Sequence, residues 1–400
     1  MALKKDENTF VQVMIFIISP FLSLPFILHG IYEKNKRSVV FLIGVISLMS
    51  YLYVPLDTND KAYYYYLYDD FKLVSISDFL SLKPDYIFYL LIYIFSMLNI
   101  PLDFLFLGIS FITMLLLYSS FFKLLEGFEV ISKKNFFIIT FLILFSVSPP
   151  SLFSGIRFTL ASALILYSFV YTFFRKKINL RSILLIIGAI LVHFSVLVFL
   201  PLYFIVFFFK ERFNKLFLIL FILSFGFLFI PKDFLISIIS GVGLSEVLET
   251  KAQSYLGGED FITNSVNSGN FNNRIRTIFQ SLWFFISAIY ILLNKTKTLV
   301  LRNIFLLVAS FTNAFYVVPT VYLRYLAISL FFFVFLLIND FVNGAKNKVT
   351  IYILFIILSL NFFGNIYSLR KILVNSIMEI HSLTLPTILM KDNINYEDVQ

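Results

Sequence analysis

Apolar runs of about 20 residues, each long enough to cross a hydrocarbon core of roughly 30 Å as a helix, recur along the whole of this chain. No other feature constrains the fold as strongly. The expected architecture is all-α: a polytopic integral membrane protein with about 10–12 transmembrane helices. Composition agrees, because 60% of the 400 residues are hydrophobic and 14% charged, against about 45–50% and 25% in a globular domain. The surplus has to face lipid, which excludes a soluble protein. With no cysteine, disulfides, thiolate nucleophiles and cysteine-ligated metals drop out, and His29, His193 and His381 do not form a zinc pattern. No metal and no cofactor is expected, and there is no Walker loop or nucleotide fingerprint. The net charge of +9 is spread over short connections, without the continuous basic face that a nucleic-acid partner needs.

Lysine and arginine concentrate in cytoplasmic loops, so their placement orients the chain. With the N-terminus outside, the cytoplasmic connections are 33–37, 123–134, 175–181, 210–215, 295–302 and 340–348. They hold 18 basic and 5 acidic residues, whereas the rest of the chain holds 14 and 18. The expected spans are 10–31, 39–56, 102–122, 135–149, 157–174, 214–231, 275–294, 303–319, 325–341 and 350–367. The first is too long for a signal-peptide core and lacks a small-residue cleavage site, so it reads as a retained span. Residues 86–98 are apolar but short, which suits an interfacial or re-entrant helix. Residues 182–209 have basic loops on both sides, and a single crossing would strand one of them outside. A broken or re-entrant helix pair turning near His193 keeps both inside, and such a break marks a cavity. The expected organisation is one membrane domain over 1–400, with external loops at 57–85 and 232–273 and a C-terminal tail at 368–400.

Polar groups in places where lipid makes them costly carry the functional signal. Arg157, Arg274, Arg276 and Arg324 open spans at external ends, against the charge bias. They either snorkel to external head groups or join helix N-termini to make an outward anion site, whose ligand would be a phosphate or pyrophosphate. His193, inside Leu-Val-His-Phe-Ser-Val, is either an interhelical hydrogen-bonder or a group that takes a proton from, or hydrogen-bonds, a substrate. Asp57, Asp60 and five tyrosines between 63 and 68 form either an interfacial aromatic belt or a carbohydrate-binding face of acids and rings. Asn303, Asn313 and Asn361 read as interhelical hydrogen-bonders.

Asp60 with Tyr64 four residues on, Ser-Gly-Ile-Arg157-Phe-Thr-Leu-Ala-Ser-Ala opening a central span, and Leu-Val-His193-Phe-Ser-Val together resemble the EpsG-like branch of the Wzy-type polysaccharide polymerases. The similarity runs over roughly residues 40–335. Two departures stand out: Tyr53-Val54-Pro55-Leu56 lacks the arginine expected before the acidic motif, and Lys83-Pro84-Asp85-Tyr86 replaces an expected Glu-Pro pair. The resemblance implies a multi-pass enzyme of the bacterial cytoplasmic membrane. It would be a metal-independent, glycosyltransferase-type polymerase joining undecaprenyl-pyrophosphate-linked oligosaccharides into a surface polysaccharide on the outer face. A flippase and a chain-length regulator of the same pathway are the implied partners, besides the bilayer. On that footing Arg157, His193 and Asp60 are the expected catalytic residues, and Arg274, Arg276, Arg324, Tyr64 and Asp57 the expected substrate-binding ones. Two other classes fit an arginine-lined, broken-helix membrane protein: a flippase-type transporter of lipid-linked oligosaccharide, and a glycan O-acyltransferase.

Overall fold

The computed structural model describes residues 2–57, 59–75, 79, 85–126, 131–209, 212–231, 282, 285–293, 298–343, 348–373 and 384–390. Every regular element among them is helical. Helices Leu102–Glu126, Ile156–Arg175, Pro319–Val342 and Ile351–Ser368 are each long and apolar enough to cross a membrane, and shorter apolar helices accompany them. The protein is an all-α, polytopic membrane protein. In lipid the backbone has to bond within its own helix, and some of the hydroxyls do the same. Ser47, Ser120, Thr140, Ser162 and Thr312 each donate to the carbonyl four residues earlier, which removes the cost of an unpaired polar group.

Residues 1–199 and 358–400 form one compact unit, and 200–357 a second. In the first, Leu102–Glu126 packs against both Lys36–Leu52 and Ile156–Arg175, and the latter packs on Leu180–Val192. Phe106, Phe121 and Phe169 are fully buried in this core. In the second unit Asn214–Ser224 lies along Leu299–Ala314. Asn303 donates to Asn214 Oδ1 and Asn313 to Ser224 Oγ, at 2.5 and 2.7 Å. Both asparagines are therefore interhelical hydrogen-bonders, while Asn361 accepts within its own helix from Asn365.

Several boundaries differ from the sequence reading. The expected first span is two helices, Ala2–Ile18 and Leu24–Tyr32, separated at Pro20, because proline has no amide to continue the ladder. The span expected at 214–231 is α-helical to Ser224 and then a 3-10 segment, Phe225–Phe229. The helix expected from 325 starts at Pro319, proline being suited to the first helical turn. Arg324 consequently sits in the second turn and does not open the helix. Of the span expected at 275–294, only 282 and 285–293 belong to the described residues. The segment 182–209 is broken at His193 into Leu180–Val192, a 3-10 turn Phe194–Val198 and Phe199–Phe209.

Candidate functional site

The site grows from the helix Asp60–Phe71, where the tyrosine run divides by helical phase. Lys61, Tyr64 and Tyr65 are buried on one face, whereas Tyr63 and Tyr66 are exposed and stacked on each other at 6.4 Å. Lys61 fixes this helix in place. Its ammonium donates to the carbonyls of Ser50 and Tyr53 at 2.8 and 2.6 Å, capping the end of Lys36–Leu52, and lies 4.6 Å from the centre of the Phe106 ring. The Lys61 amide donates to Ser154 Oγ, and the Tyr65 hydroxyl donates to the buried Asp103 carboxylate at 2.5 Å.

Ser154 lies two residues before the helix Ile156–Arg175, whose first turn carries Arg157. The Arg157 side chain is 16% exposed and its guanidinium is engaged on two edges. Nε donates to the Tyr64 hydroxyl at 2.6 Å, and Nη1 donates to Asp85 Oδ2 at 2.9 Å and to the Tyr89 hydroxyl at 2.8 Å. The rings of Tyr64, Phe88 and Tyr89 surround its central carbon at 5.0 to 5.6 Å. Nη2 donates to no described residue. Burial pushes the Tyr64 phenol far above its ordinary pKa; Arg157 pulls it down, and Asp60, one turn earlier, pushes it up. Tyr64 therefore stays a neutral acceptor for the arginine.

Asp85 stands directly before the helix Tyr86–Met97 and is itself buried. One of its oxygens takes Arg157; the other accepts the backbone amide of Phe194 at 2.8 Å. A single carboxylate thus ties the arginine to the turn that follows His193. The histidine is in extended conformation at the helix break. Its Nδ1 accepts from the Ser195 amide at 3.3 Å and lies 3.0 Å from Ser195 Oγ, and its ring meets Phe158 edge-on at 5.5 Å. A ring nitrogen that accepts an amide hydrogen carries no proton of its own, so the neutral ring bears its hydrogen on Nε2.

Of the expected site residues, the structure brings together Arg157, Tyr64 and the His193 turn. Asp60 is exposed in the first turn of the Tyr64 helix, and Asp57 is exposed just before it. Arg324 belongs to the second unit and is partly buried on Pro319–Val342. Arg274 and Arg276 lie outside the described residues. Asp85, Tyr89, Lys61 and Asp103 were not anticipated. For Asp85 the signal was at hand: a carboxylate at the mouth of an apolar run, where the motif departs from Glu-Pro. Among the described residues no three His, Cys, Asp or Glu side chains converge in a way that could hold a metal.

A family model, described as the EpsG family, matches residues 57–376. The chain belongs to the EpsG family. No curated protein and no solved structure matches it. The match begins at Asp57 and takes in Asp60, Tyr64, Asp85, Arg157 and His193, so the whole cluster lies within the family region. As an EpsG family member the protein has a polysaccharide-polymerase role, that of a glycosyltransferase-like membrane enzyme.

Proposed function

We propose that the protein joins undecaprenyl-pyrophosphate-linked oligosaccharide units into a surface polysaccharide on the outer face of the bacterial cytoplasmic membrane. The observation that carries this reading is the Arg157 guanidinium, fixed on two edges by Tyr64, Asp85 and Tyr89 with its third nitrogen uncommitted. Breaking a glycosyl–diphosphate bond places growing negative charge on the leaving oxygen, and a pre-oriented cation in a water-poor site stabilises that charge without reorganising. Arg157 is the cation assigned to the diphosphate, and Arg274, Arg276 and Arg324 are proposed substrate-binding residues; the reaction is proposed to need no divalent cation.

In the transfer the sugar C1–oxygen bond to the diphosphate breaks, and a bond from C1 to an acceptor hydroxyl forms. The hydroxyl proton passes to a carboxylate, for which exposed Asp60 is the candidate, while Asp57 contacts the sugar. His193 offers its Nε2 hydrogen as a donor that orients the acceptor, since Nδ1 is occupied by the Ser195 amide. A flippase delivering the lipid-linked units and a chain-length regulator are the proposed partners.

The test uses cells lacking this chain, complemented with Arg157→Lys, with the surface glycan resolved on a gel. Lysine keeps the charge but loses the planar fork, so single-unit glycan at normal protein level is the expected result. A full-length ladder from that variant overturns the assignment. In the same deletion strain, units trapped inside the cell would point to a transporter, and full-length unacylated chains to an acyltransferase.

A further inference from the structure

We propose that the helix ends converging on Tyr171 form a seat for the phosphodiester of an anionic phospholipid. Three cations from three elements surround this one ring. Lys123 Nζ, at the end of Leu102–Glu126, lies 4.3 Å from its centre, and the Arg175 and Arg181 guanidinium carbons lie 5.5 and 5.1 Å away. Lys123 also covers Tyr167 at 5.1 Å, and the two tyrosines stack at 6.4 Å. Any two of the three charges are therefore within about 11 Å, close to the Debye length of roughly 8–10 Å at physiological salt. Their mutual repulsion is only partly screened. None of the three is ion-paired with a described carboxylate. Cation–ring attraction does not supply a counter-charge.

The arrangement is built, not a chance meeting of loose side chains. Thr172 Oγ1 donates to Ser182 Oγ at 2.7 Å, Ser168 Oγ donates to the Ser182 carbonyl at 2.8 Å, and Asn179 Oδ1 accepts the Ser182 amide at 3.0 Å. These buried contacts lock Ile156–Arg175 to Leu180–Val192 just below Arg175 and Arg181, fixing where both forks begin. Arg175 and Arg181 are exposed and Lys123 is partly so, leaving the site open at the helix ends. Forked guanidinium groups grip phosphate oxygens. Tyrosines belong at head-group depth, and basic pockets between membrane helices hold anionic head groups. A phosphodiester carries the single negative charge that three unpaired cations lack. The seat involves none of the residues around Arg157, so it stands independently of the proposed reaction.

The test reconstitutes the full chain in nanodiscs of phosphatidylcholine alone and of phosphatidylcholine with phosphatidylglycerol, and follows thermal unfolding. Phosphatidylglycerol should raise the midpoint by about 2–4 °C, and Lys123→Gln/Arg175→Gln/Arg181→Gln should abolish that rise. Arg181→Gln alone, an exposed change outside the buried serine–threonine contacts, should reduce it while leaving the phosphatidylcholine midpoint unchanged. An equal rise in the variants, or no rise in the unaltered protein, overturns the proposal. So does an equal rise with millimolar inorganic phosphate in phosphatidylcholine discs, because the site would then take soluble phosphate instead of lipid.

Discussion

Replacing Asp85 by Asn separates the two tasks of one carboxylate. The amide oxygen can still accept from Phe194, but the negative charge beside Arg157 is gone and an NH2 group faces a guanidinium. Hydrogen bonds to charged groups contribute about 1.5–3 kcal/mol, so Asp85→Asn should lower polymerisation roughly 10- to 100-fold in a glycan assay at matched protein level. Asp85→Ala differs in kind. It leaves a buried guanidinium without its counter-ion, which costs about 3–5 kcal/mol of stability, and thermal unfolding of the purified protein should show it. Unchanged unfolding in that variant would mean that the arginine finds water or another partner. Arg157 was legible in the sequence because a cation at an external helix end contradicts the charge bias. Lys61 was not, since a lysine next to an aspartate in a connecting segment looks solvated, and only the fold reveals the two carbonyls it caps.

The helix break at His193 is an element with a mechanical basis. The Asp85–Phe194 contact and the Nδ1–Ser195 contact both hold backbone amides released by the interruption, so the turn is supported at successive residues. If His193 works as a hydrogen donor, His193→Gln, which keeps an NH at comparable reach, should retain polymer synthesis, whereas His193→Phe should lose it. Loss in both would favour the proton-acceptor role. The Ser182 contacts give a stability prediction: Ser182→Val removes the hydroxyl that accepts from Thr172 and donates to Asn179, lowering stability by about 0.5–1.5 kcal/mol in a denaturation series. The break itself can be read from the sequence because basic loops flank the apolar stretch on both sides, and a single crossing would leave one of them outside. The break at Pro20 is not legible in hydropathy, because Phe10–Ile31 is largely apolar and an average over it hides a missing amide.

At the scale of the molecule, charge placement and contacts give the same segregation within each unit. In the first, Lys133 pairs with Glu33, Lys36 covers Phe122, and Lys123 meets Arg175 and Arg181 at Tyr171. Three segments assigned to the cytoplasm on charge alone, 33–37, 123–134 and 175–181, are thus joined. In the second, the Asn214–Asn303 and Ser224–Asn313 contacts keep one offset while both helices advance ten residues. Asn214–Ser224 and Leu299–Ala314 therefore run parallel, and the chain between them has to return. Tyr290 bonds Asp340, and Thr298 bonds Asn339, which puts the end of that return beside the 295–302 and 340–348 connections, again a set assigned to one side.

Contacts fix which segments share a side but not which side it is; the excess of basic residues at 33–37, 123–134 and 175–181 supplies that choice. The chain has no native cysteine, so single cysteines report sidedness on a clean background. Leu73→Cys, at a position 89% exposed in the 57–85 segment, should react with a membrane-impermeant maleimide on intact spheroplasts. Lys177→Cys, exposed in the 175–181 connection, should react only after permeabilisation. The reverse pattern would put Arg157 and Asp85 on the cytoplasmic side, where a polymerase supplied by flipped lipid-linked units could not use them. The orientation and the proposed reaction would then fall together, while the family assignment, which rests on residues 57–376, would stand.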